Sequence, residues 1–527
     1  MVAHTTHSRF QWFENFAADL RARRGWQRYV LAAAYGALNS LAYSPADIVP
    51  VLWIAFPALI FLLQEAGGMR RAFAIGWCFA FGFFVFDLYW TAVSMFVDIQ
   101  HFWWAVPLAA FGLPAVFAIY YGIAAALAQR IGLRGVTGVI GFVLLWFLAD
   151  DARGHLFTGF PWNIEGYVWA DFLPVLQITS VIGVYGLTLL TLLAACLPAC
   201  LAGNISSQRH RALVMGSLAM FGLIAVWGAW RVMEAPVTAV PDVRLRLVQP
   251  DISQQIKWQP QAREDNFRHL LALSSAKGEK PVTAILWPET ASPFYLTLDE
   301  EHRRAAAGII PEKGALITGV LRADSNPSFG VHYYNSLIAV GHNANVTAIY
   351  DKSHLVPFGE YMPFRRWIPA PALAGLGIDF SHGAGPETLH VSGLPPFSPM
   401  ICYEAIFPGA VVDRHNPPQF LVNVTNDGWY GNTAGPYQHF AIAQVRAVEE
   451  GLPLVRVANT GISGIIDAYG RIETRLGLGE SGFIDGDLPK ALPAPTFFSR
   501  HSEALLWLIF ASLALRLILG MALGIKR

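Results

Sequence analysis

The sequence predicts a membrane α-helical bundle of about eight transmembrane helices that carries an α/β domain. Three observations predict it. Of 527 residues, 54% are hydrophobic and only 14% charged, with a mean hydropathy of +0.40, which is more apolar surface than a soluble chain can bury. The apolar residues are unevenly placed: residues 1–231 are nearly continuous apolar stretches, 243–487 read like a soluble α/β protein, and 503–523 are apolar again. A chain of this length also calls for two or more units. Pro-rich connectors, "EAPVTAVPD" (234–242) and "LPKALPAPTF" (489–497), bracket the middle part. The expected divisions are therefore 1–231 with seven helices, 243–487, and 503–523 with the eighth. Lys+Arg and Asp+Glu balance at 37 each, and no basic tract is present, so no nucleic acid partner is expected.

A bilayer-crossing helix needs ~20 mostly apolar residues. The expected spans are 29–44, 47–65, 72–97, 104–128, 135–150, 172–202, 211–231 and 503–523. Two of them, 72–97 and 172–202, are long enough to require tilt or an interfacial extension. Orientation follows from Arg and Lys in the connections. Arg9, Arg21, Arg23, Arg24 and Arg28 precede the first span; Arg70 and Arg71, Arg130 and Arg134, and Arg209 and Arg211 fill the even-numbered connections; Lys526 and Arg527 end the chain. The odd-numbered connections are bare apart from Arg153. Both termini are thus expected on the cytoplasmic side and the 243–487 domain on the outer side. A rival reading takes the first span as a cleaved signal peptide, since "LAYSPA" supplies small residues after it. The long positively charged region argues against that, and cleavage would leave the alternation unchanged.

Asp87 in "FVFDLYWTAV" is an acid within an apolar run. It is expected near the outer end of its span, pairing or reaching the interface, and Arg516 in the last span is read the same way. The aromatic loop "GHLFTGFPWNIEGYVW" (154–169) is expected at the outer interface, as an aromatic belt or as a wall of a lipid-facing site.

Within 243–487 strand-like and helix-like segments alternate. Expected strands are 243–249, 283–289, 315–321, 335–341, 347–351, 398–404, 419–427 and 453–460; expected helices are 261–276 and 436–450. Such alternation argues for α/β layers, and two packed sheets with helices outside fit this many strands.

Three polar residues fall at the ends of expected strands, where α/β folds place their sites. They are Glu289 in "LWPET", Lys352 in "YDKSHLVPFGEY" and Cys402 in "MICYE". A thiol becomes a good nucleophile when a base or cation favours its thiolate. A carboxylate can take the thiol proton, and a lysine can stabilise the oxyanion that forms when a carbonyl is attacked. The three are a complete set for acyl transfer and need neither metal nor cofactor. Singly, each has an ordinary reading: Cys402 as a small core residue, Glu289 as the cap of a helix starting at 290, Lys352 as a solvated charge. Cysteine usage adds weight. Cys78, Cys196 and Cys200 lie in expected spans, so Cys402 has no disulfide partner within its own domain. No Cys/His group with metal-ligand spacing surrounds it.

"WPE", "KSHLVPFGE" and "CYE", in this order, resemble the three blocks of the nitrilase, or carbon–nitrogen hydrolase, superfamily, and "NVTNDGWY" (423–430) supports the match. The resemblance implies a nitrilase-like α-β-β-α sandwich with a Glu-Lys-Cys triad. With eight spans around such a domain, the whole chain is similar to the membrane-bound branch that N-acylates bacterial lipoproteins. That similarity implies an inner-membrane, multi-pass enzyme with its catalytic domain in the periplasm. It implies Glu289 as general base, Lys352 as stabiliser of the tetrahedral intermediate and Cys402 as the nucleophile that takes an acyl chain from a phospholipid, with phosphatidylethanolamine the expected donor. The acyl chain then passes to the α-amine of a diacylglyceryl-cysteine. Glu360 matches the family's supporting acid, and Tyr403 and Glu404 match positions flanking the nucleophile. Trp258, Asn335 and Trp429 match further positions, expected at the pocket mouth or on mobile loops.

Two rivals stay open on the residues alone. A membrane-anchored amidase or nitrilase acting on a small amide would carry the same triad, although one span would suffice to anchor it. A transporter whose outer domain only binds ligand would need paired polar residues in its spans and inverted repeats, and the sequence shows few such charges and no repeat.

Overall fold

The computed structural model describes residues 11–202, 208–236, 238–326, 330–363, 366 and 379–522. Arg9, Lys526 and Arg527, used above for orientation, lie outside the described residues. The chain forms two compact units. One runs to Met95, continues over Gln100–Met233 and resumes at His501; the other holds Phe96–Ile99 and Glu234–Arg500.

The first unit is a helical bundle. Among the described residues, five helices are long and apolar enough to cross a membrane by length and composition: Met69–Asp87, Leu108–Ile131, Gly135–His155, Thr179–Leu201 and Gln208–Met233. Val49–Gln64 is apolar but shorter, Gln27–Asn39 has 13 residues, and the apolar helix Ala504–Ala522 has 19, as many as Met69–Asp87. Of the eight expected spans, six therefore coincide with helices of 19 residues or more among the described residues. Thirteen residues rise only ~20 Å against a hydrocarbon core of ~30 Å. Hydropathy counts apolar residues and is blind to where the helix stops. The 29–44 run leaves its helix for a 3-10 turn at Ser40–Ala42, the 72–97 run breaks after Asp87 and resumes as one α-helical turn at Trp90–Val93, and the 172–202 run is kinked at Gly183, whose φ is 67°.

The 154–169 loop divides in two: Leu156 and Phe157 are exposed, whereas residues 161–168 are buried within the helical unit and so cannot form an interfacial belt. Arg153 explains the inward course. Its guanidinium is buried and needs acceptors, and it donates to the main-chain oxygens of Phe160 (2.7 Å) and Trp162 (2.8 Å) and to Tyr121 Oη (2.9 Å). Tyr121 in turn donates to Asp150 Oδ1 (2.5 Å). Asp87 pairs, accepting from Asn163 Nδ2 of this same loop at 2.7 Å.

The second unit has eleven described strands: β1 Ala239–Gln249, β2 Ala284–Trp287, β3 Ala315–Asn326, β4 Gly330–Gly341, β5 Val346–Asp351, β6 Phe397–Ile401, β7 Phe420–Thr425, β8 Leu454–Ala458, β9 Ser463–Ile466, β10 Ile472–Leu476 and β11 Gly482–Pro489. They form a six-stranded sheet in the order β11-β1-β2-β3-β4-β5 and a five-stranded sheet in the order β10-β9-β8-β7-β6. Strands β1, β2 and β3 are parallel neighbours, as are β6, β7 and β8. The last three strands and the helix Glu300–Ala307 were not legible as elements. β9 has only four residues, β10 carries Glu473 and Arg475 between Ile472 and Leu476 on an exposed edge, and β11 interrupts its apolar residues with Asp485, Gly486 and Asp487.

Alternation along the strands sorts side chains into two interfaces. Leu245, Leu247, Leu286 and Ile317 of the first sheet meet Phe397, Ile401, Val422 and Val455 of the second. Val248, Ile285, Trp287 and Leu316 face outward and pack under Phe267, Leu270, Ala306 and Ala307 of the helices Arg263–Ser275 and Glu300–Ala307. On the far side Met400, Leu421 and Leu454 pack under Ala443 and Ala447 of the helix Ala434–Glu450. Four layers, α-β-β-α, result. Burial on both faces is why the parallel strands read as unbroken apolar runs in sequence.

Candidate active site

β2 ends at Trp287, and Pro288 cannot donate to the ladder, so the chain leaves the sheet there. Glu289 follows, and Thr290 takes a left-handed φ of 44°. No helix starts at 290, so a capping role for Glu289 falls away. The turn leans on Gly319 of β3, whose main-chain N–H donates to Pro288 O at 3.1 Å. A methyl group on Gly319 would lie 2.5 Å from Glu289 Cα and 2.7 Å from Thr290 N. Gly319→Ala is therefore expected to displace the turn, with about 1–3 kcal/mol of destabilisation from overpacking. A tenfold or greater loss of acylation rate is expected from misplacing Glu289. Thermal unfolding and single-turnover kinetics check this.

Lys352 is the first residue after β5 and Cys402 the first after β6. Cys402 sits at φ 51°, a left-handed conformation that is costly for a residue with a Cβ and recurs where strain serves a site. Lys352 Nζ donates to Glu360 Oε1 at 2.9 Å and lies 3.6 Å from Glu289 Oε1. Asn335 Nδ2 bridges the same two carboxylates at 2.7 Å each. Asn335, expected at the pocket mouth or on a mobile loop, is instead a buried residue of β4 in the centre of the site. Glu360 is further fixed by the N–H of Val356 at 2.8 Å.

Electrostatics follow from burial. Burial raises the proton affinity of Glu289, and Glu360 adds to it against the opposing charge of Lys352. Burial alone would lower that of Lys352, but the carboxylates of Glu360 and Glu289 outweigh it and keep the ammonium charged. The Cys402 thiol is pushed up by burial and by Glu289, with Lys352 pulling the other way. The resting group is a thiol beside a carboxylate of heightened basicity, so proton transfer accompanies attack.

Glu404 is held by five donors. Its Oε1 accepts from Tyr350 Oη, Ser353 N and Ser353 Oγ, each at 2.7 Å, and from His354 N at 3.2 Å. Its Oε2 accepts from Ile401 N at 2.7 Å. It ties the nucleophile's strand to the lysine's loop. Tyr403 is buried against Phe407 and His354, with ring centroids 5.2 and 5.7 Å away. Trp258 is half-buried against Leu321, Leu355 and Phe380. Trp429 is half-buried at the end of a 3-10 turn, Asp427–Trp429.

Sequence reasoning missed residues on both sides of the triad. Lys257, beside Trp258 in "QQIKW", is fully buried next to Glu289. Behind the nucleophile, His439 Nε2 lies 3.1 Å from the carbonyl oxygen of Cys402, and His439 Nδ1 lies 2.8 Å from Asp427 Oδ1. Arg456 donates to Asp427 Oδ2 at 2.7 Å. Burial and then Arg456 hold His439 below the ordinary imidazole range. The expectation that no metal-ligand group surrounds Cys402 needs correcting, since ligand atoms of Cys402, Asp427 and His439 lie within 4.8 Å of one another. Tertiary contact, not sequence spacing, assembles them. The guanidinium of Arg456 on Asp427 opposes a cation there. The polar signals existed, Asp427 in "NVTNDGWY" and His439 in "PYQHF", but nothing in sequence tells a buried polar residue from an exposed one.

Residues 35–197 match the family model described as apolipoprotein N-acyltransferase N-terminal domain, and residues 244–494 match that of carbon-nitrogen hydrolase. The apolipoprotein N-acyltransferase of Rhodopseudomonas palustris is 38% identical over 496 residues, covering 91% of this chain and 92% of that protein. That of Bradyrhizobium diazoefficiens is 39% identical over 514 residues, covering 94% and 95%. Among solved structures, an amidase from Nesterenkonia sp. aligns at 19% identity and a TM-score of 0.36, covering 52% of this chain and 99% of that one. Helical bundle and sandwich are matched together, over nearly the full length of such relatives, and on that ground the chain belongs to the apolipoprotein N-acyltransferase family.

Proposed function

We infer that this enzyme N-acylates apolipoproteins with an acyl chain taken from a phospholipid, through a thioester on Cys402. The observation that carries the reading is the buried grouping of Glu289, Lys352 and Glu360 at the thiol, in a chain whose described residues also include at least five helices of membrane-spanning length. Glu289 takes the Cys402 proton as sulfur attacks the ester carbonyl. Lys352 faces the oxyanion that develops. Collapse breaks the ester C–O bond, the lysophospholipid alkoxide takes the proton from Glu289, and the acyl chain stays on sulfur. The α-amine of a diacylglyceryl-cysteine then attacks the thioester and gives a proton to Glu289. The second collapse breaks the C–S bond, and the thiolate recovers that proton. Two half-reactions sharing one acyl-enzyme make the kinetics ping-pong.

Phosphatidylethanolamine is the donor favoured by this reading. Extracting an acyl chain costs ~0.8 kcal/mol per CH₂ exposed to water, which favours an enzyme that stays in the bilayer. The positive-inside pattern supports an inner-membrane protein with both termini cytoplasmic and residues 243–487 in the periplasm, where an oxidising environment spares a thiol with no partner in its domain. Asn335 and Glu360 serve as positioning residues for the triad, Tyr403 and Glu404 frame the nucleophile, and Trp258 and Trp429 border the substrate path.

Intact mass after incubation with phosphatidylethanolamine tests the reading. An increment of one acyl chain is expected in the parent enzyme and none in Cys402→Ala, and a diacylglyceryl-cysteine peptide should discharge the adduct as an amide. An unmodified parent enzyme would overturn the proposal. Discharge to water alone would instead favour an amidase-like hydrolase.

A further inference from the structure

Lys257 lies in the connection between β1 and the helix Arg263–Ser275 and is 1% exposed. Its Nζ donates to Thr290 Oγ1 at 3.0 Å and to the main-chain oxygen of Glu289 at 3.3 Å. Both acceptors are neutral, and among the described residues no carboxylate oxygen lies within the 4.0 Å that defines an ion pair. Lys352, in contrast, is held by two carboxylates. An ammonium with three N–H groups and two uncharged acceptors is an unusual thing to bury. Its two anchors are the two residues of the turn that carries Glu289, including Thr290 at φ 44°.

The charges around it are few. Glu289 acts on Lys257 from the end of β2, and Glu289 is itself faced by Lys352, Glu360 and the amide of Asn335. The helix Arg263–Ser275 presents only the neutral Asn266, which donates to the Lys257 main-chain oxygen at 3.4 Å. The Trp258 ring lies 5.7 Å from Nζ. Two carboxylates and Lys352 alone leave one uncompensated negative charge, and a charged Lys257 cancels it.

We propose that Lys257 is a positioning residue for acyl transfer: it clamps the Glu289–Thr290 turn and supplies the second positive charge against which Glu289 ionises. The proposal rests on Glu289 being the base. Burial, offset in part by Glu289, pulls the Lys257 ammonium down to about 8, so the charge is present at neutral pH and lost as pH rises through that value. Its loss would raise the proton affinity of Glu289 and loosen the turn.

The test is the pH profile of Cys402 acylation by phosphatidylethanolamine, read by intact mass for the parent enzyme, Lys257→Gln, Lys257→Arg and Glu289→Gln, each with a thermal unfolding curve. The parent rate is expected to fall above about pH 8. Lys257→Gln keeps an N–H for Thr290 but no charge. Its acidic limb should move up by about one pH unit, its rate at pH 7 should drop about tenfold, and the fall near pH 8 should vanish. Lys257→Arg should restore the acidic limb, because its charge persists at all these pH values. A Lys257→Gln profile superimposable on the parent, or scaled down with both limbs unmoved, would overturn the proposal. Acylation surviving in Glu289→Gln would instead overturn the assignment of the base, whatever the lysine variants do.

Discussion

Lys352→Met is expected to reduce Cys402 acylation on the order of 10³-fold or more, since it removes the group facing the oxyanion and the counter-charge of the base together. Lys352 is 1% exposed, and its Nζ is shared by Glu360 at 2.9 Å and Glu289 at 3.6 Å. Without it, two buried carboxylates face one another across a single Asn335 amide nitrogen. One must take up a proton, and Glu289, already raised by burial, is then lost as a base at neutral pH. Breaking a buried ion pair on one side also costs about 3–5 kcal/mol, so the unfolding midpoint should fall. The parent enzyme should itself lose activity as pH drops through a carboxyl pKa above the usual glutamate range, because the base must be ionised. In Lys352→Met that acidic limb should move to still higher pH. A Met variant acylated within tenfold of the parent rate would contradict the role given to Lys352.

Glu404→Ala is expected to damage stability as much as activity. Five donors converge on the Glu404 carboxylate: Ile401 N, Ser353 N, Ser353 Oγ, His354 N and Tyr350 Oη. Each buried donor left unanswered costs about 1–3 kcal/mol, so truncation should destabilise the α/β unit by several kcal/mol and expose it to protease. Glu404→Gln separates this role from a chemical one. An amide keeps the shape but turns one N–H₂ toward groups that themselves donate, so unfolding and activity should decline in parallel. If Glu404 were the base, the Gln variant would fold like the parent and be inactive at every pH. Differential scanning calorimetry alongside acyl-adduct kinetics distinguishes the two.

The legibility of this site differs residue by residue. Glu289, Lys352 and Cys402 were visible because each follows an apolar run that had to be a strand, and a polar residue at a strand end is where a sheet opens to chemistry. Asn335 was misplaced because it lies within a strand-like run, "YYNSLIAV", in which nothing marks it as the bridge between two carboxylates. Lys257 was passed over for its neighbour Trp258, since a lysine in a polar connection reads as solvated. Asp427, His439 and Arg456 come from a turn, a helix and a strand, and only folding brings them together.

The sequence by itself determined the apolar helical part, the α/β part and the strand ends at which Glu289, Lys352 and Cys402 fall, because hydropathy, period and residue chemistry are local properties. Tertiary structure alone decided which carboxylate stands against the Lys352 ammonium. Glu404 is two residues from the thiol, yet five donors consume it, while Glu289, more than a hundred residues away in sequence, keeps its basicity through burial. It also decided that the aromatic 161–168 stretch is core and that the first two expected spans rest on helices shorter than a bilayer. Hydrogen-bond partners, burial and helix ends are set by contacts between distant segments, and a linear pattern does not encode them singly.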